Sequence, residues 1–492
     1  MTFPSSSRFE PHVLRIAVVI VLGAIMSVLD TTIVNVALDT LSQDLGSPLD
    51  SIQWVVTGYL LSLAAVIPIT GWAARRFGSR RLYIASLALF TIASALCGLA
   101  WSTSSLIGFR VLQGVAGGMI MPIGQMILVK AVGPKHVGRI MGIIGVPIVL
   151  APVFGPTLGG LLVQHAGWEW IFLVNVPIGI LAVIAGLKLL PADTPEEAGK
   201  LDATGLALVT TGVVGVTYGL AESGTAGSLT AGRVVVPLVA GLVLVGLFVL
   251  RALRIERPLL DVRLYANKAF AAASVSTFCL GAALFGAMIL MPLYFQTVRG
   301  EDAVHTGLLL APQGIGAALA MVASGRATER FGGGPVALAG GLVAALGTLP
   351  FVLIGAGTSY WLIGAAMVVR GFGIGMSFMP AMTAAFAVLR PDQVNDASPQ
   401  LNTLQRVGGS IGTAILTVVL QGKLDAAGAS PAPAAAASAF GSTYWWVLAV
   451  TLVALVPAAV LTLVERRARA TAVPAPLAGR EAADEMLEGV AA

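Results

Sequence analysis

Two charged residues stand inside apolar runs, where charge is costly. Asp30 lies in "SVLDTTIVNVALD" (27–39), within a run that begins near Leu14, and Arg110 lies in "LIGFRVLQGVAGGMIMPIGQM" (106–126). A charge at the bilayer centre costs about 2.5–3.5 kcal/mol on insertion scales, so such a group faces protein or water and marks a functional candidate. A buried Asp can act as a proton carrier, alternating between charged and neutral forms. The plainer readings are a structural Asp bonded to a neighbouring helix, and an arginine snorkelling to the nearby outer surface. At about 100° per residue, Gly23, Ser27, Asp30, Thr31 and Asn35 share one face of the first run, opposite Leu22, Ile25, Leu29, Ile33 and Val36. Asp30 therefore points to a polar cavity or a helix interface. Arg110, Gly114, Gly117, Met121 and Gln125 form one stripe on which small residues allow close helix approach. Glu222, in "YGLAESG", is the other acidic residue left within an apolar run. It reads either as an interfacial carboxylate or as a second cation- or proton-binding site.

The elements that must position these groups are membrane spans. The chain has 492 residues, 57% hydrophobic and 11% charged, against about a quarter charged in soluble domains. Fourteen apolar runs are long enough to cross a bilayer, the first at 14–38, the fifth at 138–163 and the last at 443–464. With the amino terminus inside, 23 of the 29 Lys and Arg residues fall in inner loops and tails. Arg233, Arg299 and Lys423 fall outside, and Arg110, Arg370 and Arg406 within spans. That bias predicts cytoplasmic termini.

An internal repeat organises the spans. "GWAARRFGSRR" (71–81) is echoed by "GRATERFGGGP" (325–335), and "GGMIMP" (117–122) by "GMSFMP" (375–380). The predicted organisation is an N-tail at 1–13, a six-span half at 14–190, two linker spans with flanking loops at 191–268, a second six-span half at 269–465, and a C-tail at 466–492. Parallel repeats of this kind place a substrate site between the halves. The fifth span, "GIIGVPIVLAPVFGPTLGG" (142–160), carries a seam of Gly142, Gly145, Pro152, Pro156 and Gly159, with Pro147 beside it. Such a seam permits close approach and predicts a bent helix at a mobile interface.

Other chemistries find no support. No phosphate-binding loop of the G-x-x-x-x-G-K-[ST] type is present, the four histidines are scattered, and Cys97 and Cys279 both sit in apolar runs. The reading is therefore a carrier rather than an enzyme, with no cofactor or metal, no nucleic-acid partner, and a monomeric state in the lipid bilayer. Arginine far exceeds lysine and Gly and Ala abound, which points to a high-GC bacterium.

Taken together these stretches resemble the major facilitator superfamily, and within it the fourteen-span drug:proton antiporters. "LDTTIVNVAL" is similar to that family's first-span motif, with Asp30 at its acidic position. "RVLQGVAGG" (110–118) resembles the fourth-span motif, with Arg110 as its basic residue. "GPTLGG" (155–160) looks like the core of the antiporter motif, with Gly155, Pro156, Gly159 and Gly160 on its key positions. "GWAARRFGSRR" resembles the gate loop, which supplies Gly71, Arg75, Arg76, Gly78 and Arg80, although Arg75 stands where the family has a carboxylate. Glu329 and Arg330 occupy the second copy, and Glu329 is a candidate substitute for that carboxylate.

The resemblance implies an all-α major facilitator fold of two six-helix halves with two extra central helices. It also implies proton-driven export of amphipathic, cationic drugs or antibiotics, with Asp30 and Arg110 coupling the proton. The alternatives are a proton-coupled uptake carrier for a polar metabolite, or a non-transporting sensor or lipid-handling protein.

Overall fold

The computed structural model describes residues 11–133, 137–193, 195–196, 198–428 and 432–471. Most of both tails, Lys135, and the side chains of Pro147 and Pro152 lie outside the described residues. Among the described residues every regular element is a helix.

Fourteen long helices follow one another. They are α1 (Pro11–Ile33), α2 (Leu49–Val66), α3 (Ser79–Gly98), α4 (Thr103–Val132), α5 (Val137–His165), α6 (Asn175–Leu189) and α7 (Ala203–Ala226). The rest are α8 (Gly232–Arg254), α9 (Lys268–Met288), α10 (Ala303–Phe331), α11 (Gly333–Val352), α12 (Tyr360–Ala387), α13 (Val394–Ala427) and α14 (Pro433–Thr471). Among the described residues, thirteen stretches built on these helices are long and apolar enough to span a membrane. The 29-residue α5 stands where the fifth span is predicted and stays helical through all three prolines.

Several boundaries move from their predicted places. The first span continues past α1 through a tight turn of helix at Val34–Ala37 into Leu38–Asp44. More consequentially, α2 continues through Ile67–Ile69 into a helix at Thr70–Phe77, so Gly71, Arg75 and Arg76 are helical and not in a loop. Pro68 tightens one turn without ending the helix, and the stop comes at Gly78, whose φ of +87° suits glycine alone. Glu329 and Arg330 likewise fall in the last turn of α10, which stops at Gly332 with φ +96°. The two stops occupy matching places in the repeated motif.

Helix pairing repeats in the same way. In the first half α1 packs on α5 and α6, α2 on α4, and α3 on α4 and α6. In the second, α9 packs on α13 and α14, α10 on α12, and α11 on α12 and α14. The pairs correspond at an offset of eight helices. Between the halves, α5 lies along α10, and α13 meets α4 and the helical extension of α2. The extra pair docks through α7 on α2 and α13: Trp54 stacks on Tyr218, and Thr210 Oγ1 donates to the Ala65 carbonyl at 3.1 Å. The face of α8 turned away from this contact exposes Val236, Val239, Leu242, Val243, Leu247 and Leu250, a stripe suited to lipid.

Candidate functional site

Asp30 and Arg110 meet inside the first half. Arg110 Nη1 donates to Asp30 Oδ2 at 2.6 Å, and the side chains are 1% and 0% exposed. Asp30 sits in the last turn of α1 and Arg110 in the second turn of α4, whose start is fixed by a capping box between Ser102 and Ser105. The snorkelling reading of Arg110 therefore does not describe this arginine.

The pair is the centre of a larger network. Arg110 Nη1 also donates to Gln113 Oε1 at 2.7 Å, and its Nε to the Val55 carbonyl at 3.1 Å. Gln113 Nε2 and Asn175 Nδ2 donate to Asp30 Oδ1 at 2.9 and 3.0 Å, so both carboxylate oxygens are occupied. The same two amides lie 3.0 and 3.1 Å from Ser94 Oγ, which donates to the Phe172 carbonyl at 2.8 Å. The Tyr59 ring lies 4.0 Å from Arg110 Cζ, a cation–π contact. A buried ion pair is tolerable only when such bonds replace lost water.

Gln113 follows Arg110 by three residues, the spacing that puts both on one helix face, and Asn175 is a lone amide in an apolar run. Both signals were in the sequence and neither was singled out.

The polar face of α1 divides along its length. Ser27 and Asp30 are buried, Thr31 is half-buried and Asn35 is exposed. On α13, Asn395, Ser398 and Asn402 are buried, whereas Arg406, Ser410 and Thr413 are half-buried. Both helices are thus more buried towards the end that carries Arg75 and more exposed away from it, the pattern of a cleft between the halves that is closed at that end.

The closed end is held by contacts between the halves. Arg75 Nη1 lies 3.1 Å from Asp396 Oδ2. A side chain at Gly71 would collide with the Asn395 carbonyl. Ser398 Oγ lies 2.9 Å from the Pro122 carbonyl and 3.2 Å from Gln125 Oε1, which also accepts from Asn402 Nδ2 at 2.8 Å. Glu196 joins both sides: its amide donates to the Arg75 carbonyl at 2.9 Å, and its carboxylate accepts from Lys130 at 3.0 Å and Asn395 at 3.3 Å. The carboxylate that meets Arg75 is thus Asp396, which the sequence reading did not single out.

The remaining gate residues split. The Arg80 amide donates to Asp193 and its guanidinium to the Leu187 carbonyl, while Gly78 leaves room for the Asp193 carboxylate, so these contacts tie the first half to the start of the linker and do not reach the second half. Arg76, Glu329 and Arg330 are exposed, with Arg330 over the Phe331 ring.

The α5 seam also divides. Added side chains at Gly155 and Gly159 would strike Thr32 and Ile33 of α1, whereas at Gly142 and Gly145 they would strike Met321 and Met379 of the other half. Gly160 faces Val304 of α10, and Pro156 is half-buried. Glu222 stands apart at the outer end of α7, with Oε2 4.0 Å from Arg233 Nε.

Two repeated six-helix halves around a cleft, with a buried charge pair beside it, define a membrane carrier. The family model described as Major Facilitator Superfamily matches residues 20–413, and the chain belongs to that superfamily. A "Multidrug resistance protein B homolog" of Mycobacterium tuberculosis is 40% identical over 416 residues, covering 84% of this chain and 77% of that protein. The "Multidrug export protein EmrB" of Escherichia coli is 31% identical over 414 residues, covering 81% and 78%. Among solved structures, the proton:xylose symporter XylE shares the fold with a TM-score of 0.63 at 13% identity, over 90% of this chain and 94% of that one.

Proposed function

We propose that this protein exports amphipathic small molecules, drugs or antibiotics among them, across the cytoplasmic membrane in exchange for protons. In this reading both termini are cytoplasmic, and the end closed by Arg75 and Asp396 is the cytoplasmic gate. The carrying observation is the Asp30–Arg110 pair, buried within one half beside the cleft. The relatives named for multidrug resistance and export support the direction of transport.

The geometry suggests how a proton is used. Charged Asp30 holds α1, α4 and α6 together through Arg110, Gln113 and Asn175. A proton on Asp30 removes the counter-charge and leaves Arg110 a buried cation with neutral partners, a state costing several kcal/mol unless the helices shift. Asn175 Oδ1 is buried and has no donor among the described residues, so a turn of its amide offers an acceptor to the protonated carboxyl. Loading Asp30 thereby loosens α1 from α4 and α6, and release of the proton restores the network.

Cationic cargo is an expectation from the family resemblance, and Asp30 is the acidic residue that could meet such a charge. With both its oxygens occupied by the protein, Asp30 serves the proton and not the substrate. The decisive experiment is drug-dependent proton release from inside-out vesicles. Substrate-induced alkalinisation of an acidified lumen, abolished in Asp30→Asn, is expected. Export that ignores the pH gradient would remove the coupling reading.

A further inference from the structure

Arg406 has no place in this proton scheme. It lies in the middle of α13, twelve residues beyond Val394, where a charge has no business unless it faces protein or water. Among the described residues no hydrogen bond or ion pair holds its guanidinium, and it is half-buried, whereas Asn402 one turn below is buried.

Its position follows from the helix contacts. Asn395 and Pro399 face Gly71 on the extension of α2, and Arg406 projects from the same side of α13. The two helices run in opposite directions. Arg406 is eleven residues above Asn395, about 16 Å, and Tyr59 is twelve residues above Gly71, about 18 Å. Arg406 therefore stands at the level of Tyr59, across the cleft from the helix whose Tyr59 ring covers Arg110.

The surrounding charge is one-sided. Asp30 is fully buried and neutralised by Arg110. Arg370, the other arginine inside the second half, is buried and bonded to a neutral group, Gln313 Oε1 at 2.9 Å. The other carboxylates of the described residues lie near helix ends or in loops. The cleft thus presents positive charge without a compensating anion at mid-depth.

We infer that Arg406 is the contact for an anionic group of the substrate, so that this carrier prefers amphipathic carboxylates or sulfonates to cations. A guanidinium offers paired N–H donors matched to a carboxylate or sulfonate, and the half-open cleft supplies low dielectric in which that pairing is strong. This inference rests on the export reading above for transport, but not for binding.

The test uses purified full-length protein and the same protein in proteoliposomes. The probes are anilinonaphthalene sulfonate, its neutral analogue phenylnaphthylamine, and tetraphenylphosphonium. Wild type is expected to bind and export the sulfonate at least tenfold better than the phosphonium. Arg406→Gln should lose at least tenfold in affinity and export for the sulfonate, with phenylnaphthylamine within twofold of wild type. Arg406→Lys should recover most of the sulfonate binding. Equal sulfonate affinity in wild type and Arg406→Gln, or a wild type that binds the phosphonium better, overturns the inference. Charge-selective binding without uphill export would instead overturn the transport reading alone. Binding of phenylnaphthylamine by Arg406→Gln shows that the variant is folded.

Discussion

Arg75 on the extension of α2 and Asp396 in the first turn of α13 meet at 3.1 Å, and they come from opposite halves of the molecule. The pair is mostly buried, with side chains 16% and 18% exposed, so its worth lies between the ~0.2–1 kcal/mol of exposed pairs and the ~3–5 kcal/mol lost when a fully buried pair is broken. That is enough to bias two nearly balanced conformations severalfold. Arg75→Glu is expected to favour the state open at this end by placing two carboxylates together, and Asp396→Arg to do so by placing two arginines together. The double variant Arg75→Glu/Asp396→Arg should recover the wild-type balance. Spin-label distances between this end of α2 and α13 read the outcome, and a double variant no better than either single one would remove the pair from the gate.

The Asp30–Arg110 pair should behave differently, because it is fully buried. Breaking a buried pair by removing one partner costs about 3–5 kcal/mol. Arg110→Ala and Asp30→Asn are therefore both expected to lower thermal stability and abolish coupled export: Asp30→Asn keeps the side-chain shape but leaves Arg110 a buried cation without its counter-charge. Asn175→Ala should weaken coupling by roughly tenfold, about 1.4 kcal/mol, while downhill efflux persists. Thermal melting together with proton flux in vesicles separates these effects; an Arg110→Ala protein as stable as wild type would contradict the buried-pair energetics.

How far the sequence announced this site depends on what each residue needed. Asp30 and Arg110 were conspicuous because a charge in an apolar run is expensive, and the repeat followed from motif echoes at nearly equal offsets. Their mutual contact was not legible, since 80 residues separate them and only tertiary packing brings α1 to α4. Ser94 gave no signal, because a serine in a membrane helix commonly bonds its own backbone. Asp396 was hidden for the opposite reason. Near a span boundary a carboxylate reads as solvated, and only the fold reveals Arg75 opposite it. The gate motif was placed in a loop because apolar counting ends a span at the first arginines, while the backbone ends it at Gly78.

The division of the α5 seam yields a contrast between two glycines. A Cβ at Gly142 would lie 2.6 Å from the Met321 carbonyl of α10, and one at Gly159 would lie 2.9 Å from the Ile33 carbonyl of α1. Both substitutions to Leu overpack, by ~1–3 kcal/mol or more. Gly142→Leu wedges the two halves and should alter the conformational balance and turnover. Gly159→Leu pushes on α1 beside Asp30 and should mainly reduce stability and coupling. Unimpaired turnover in both variants would show that these faces tolerate separation and carry no tight approach.

The last prediction concerns Glu222, the second acidic residue of the apolar runs. Its carboxylate is a quarter exposed and lies 4.0 Å from the Arg233 guanidinium at the start of α8, whereas Asp30 draws its partners from α4 and α6. At this separation and exposure an ion pair contributes about 0–1 kcal/mol and is screened by salt. A weak, partly solvated pair of this kind is what the interfacial reading expects. On that reading Glu222→Gln is expected to leave export of an anionic, a neutral and a cationic dye within twofold of wild type across pH 6–8. A selective loss of cation export, or a displaced pH profile, would instead give the extra helix pair a direct part in binding. The Arg233→Gln control distinguishes the two cases: if Glu222 acts only through this pair, either substitution has the same small effect, while a cation site would be weakened by Glu222→Gln and strengthened by removing the competing arginine.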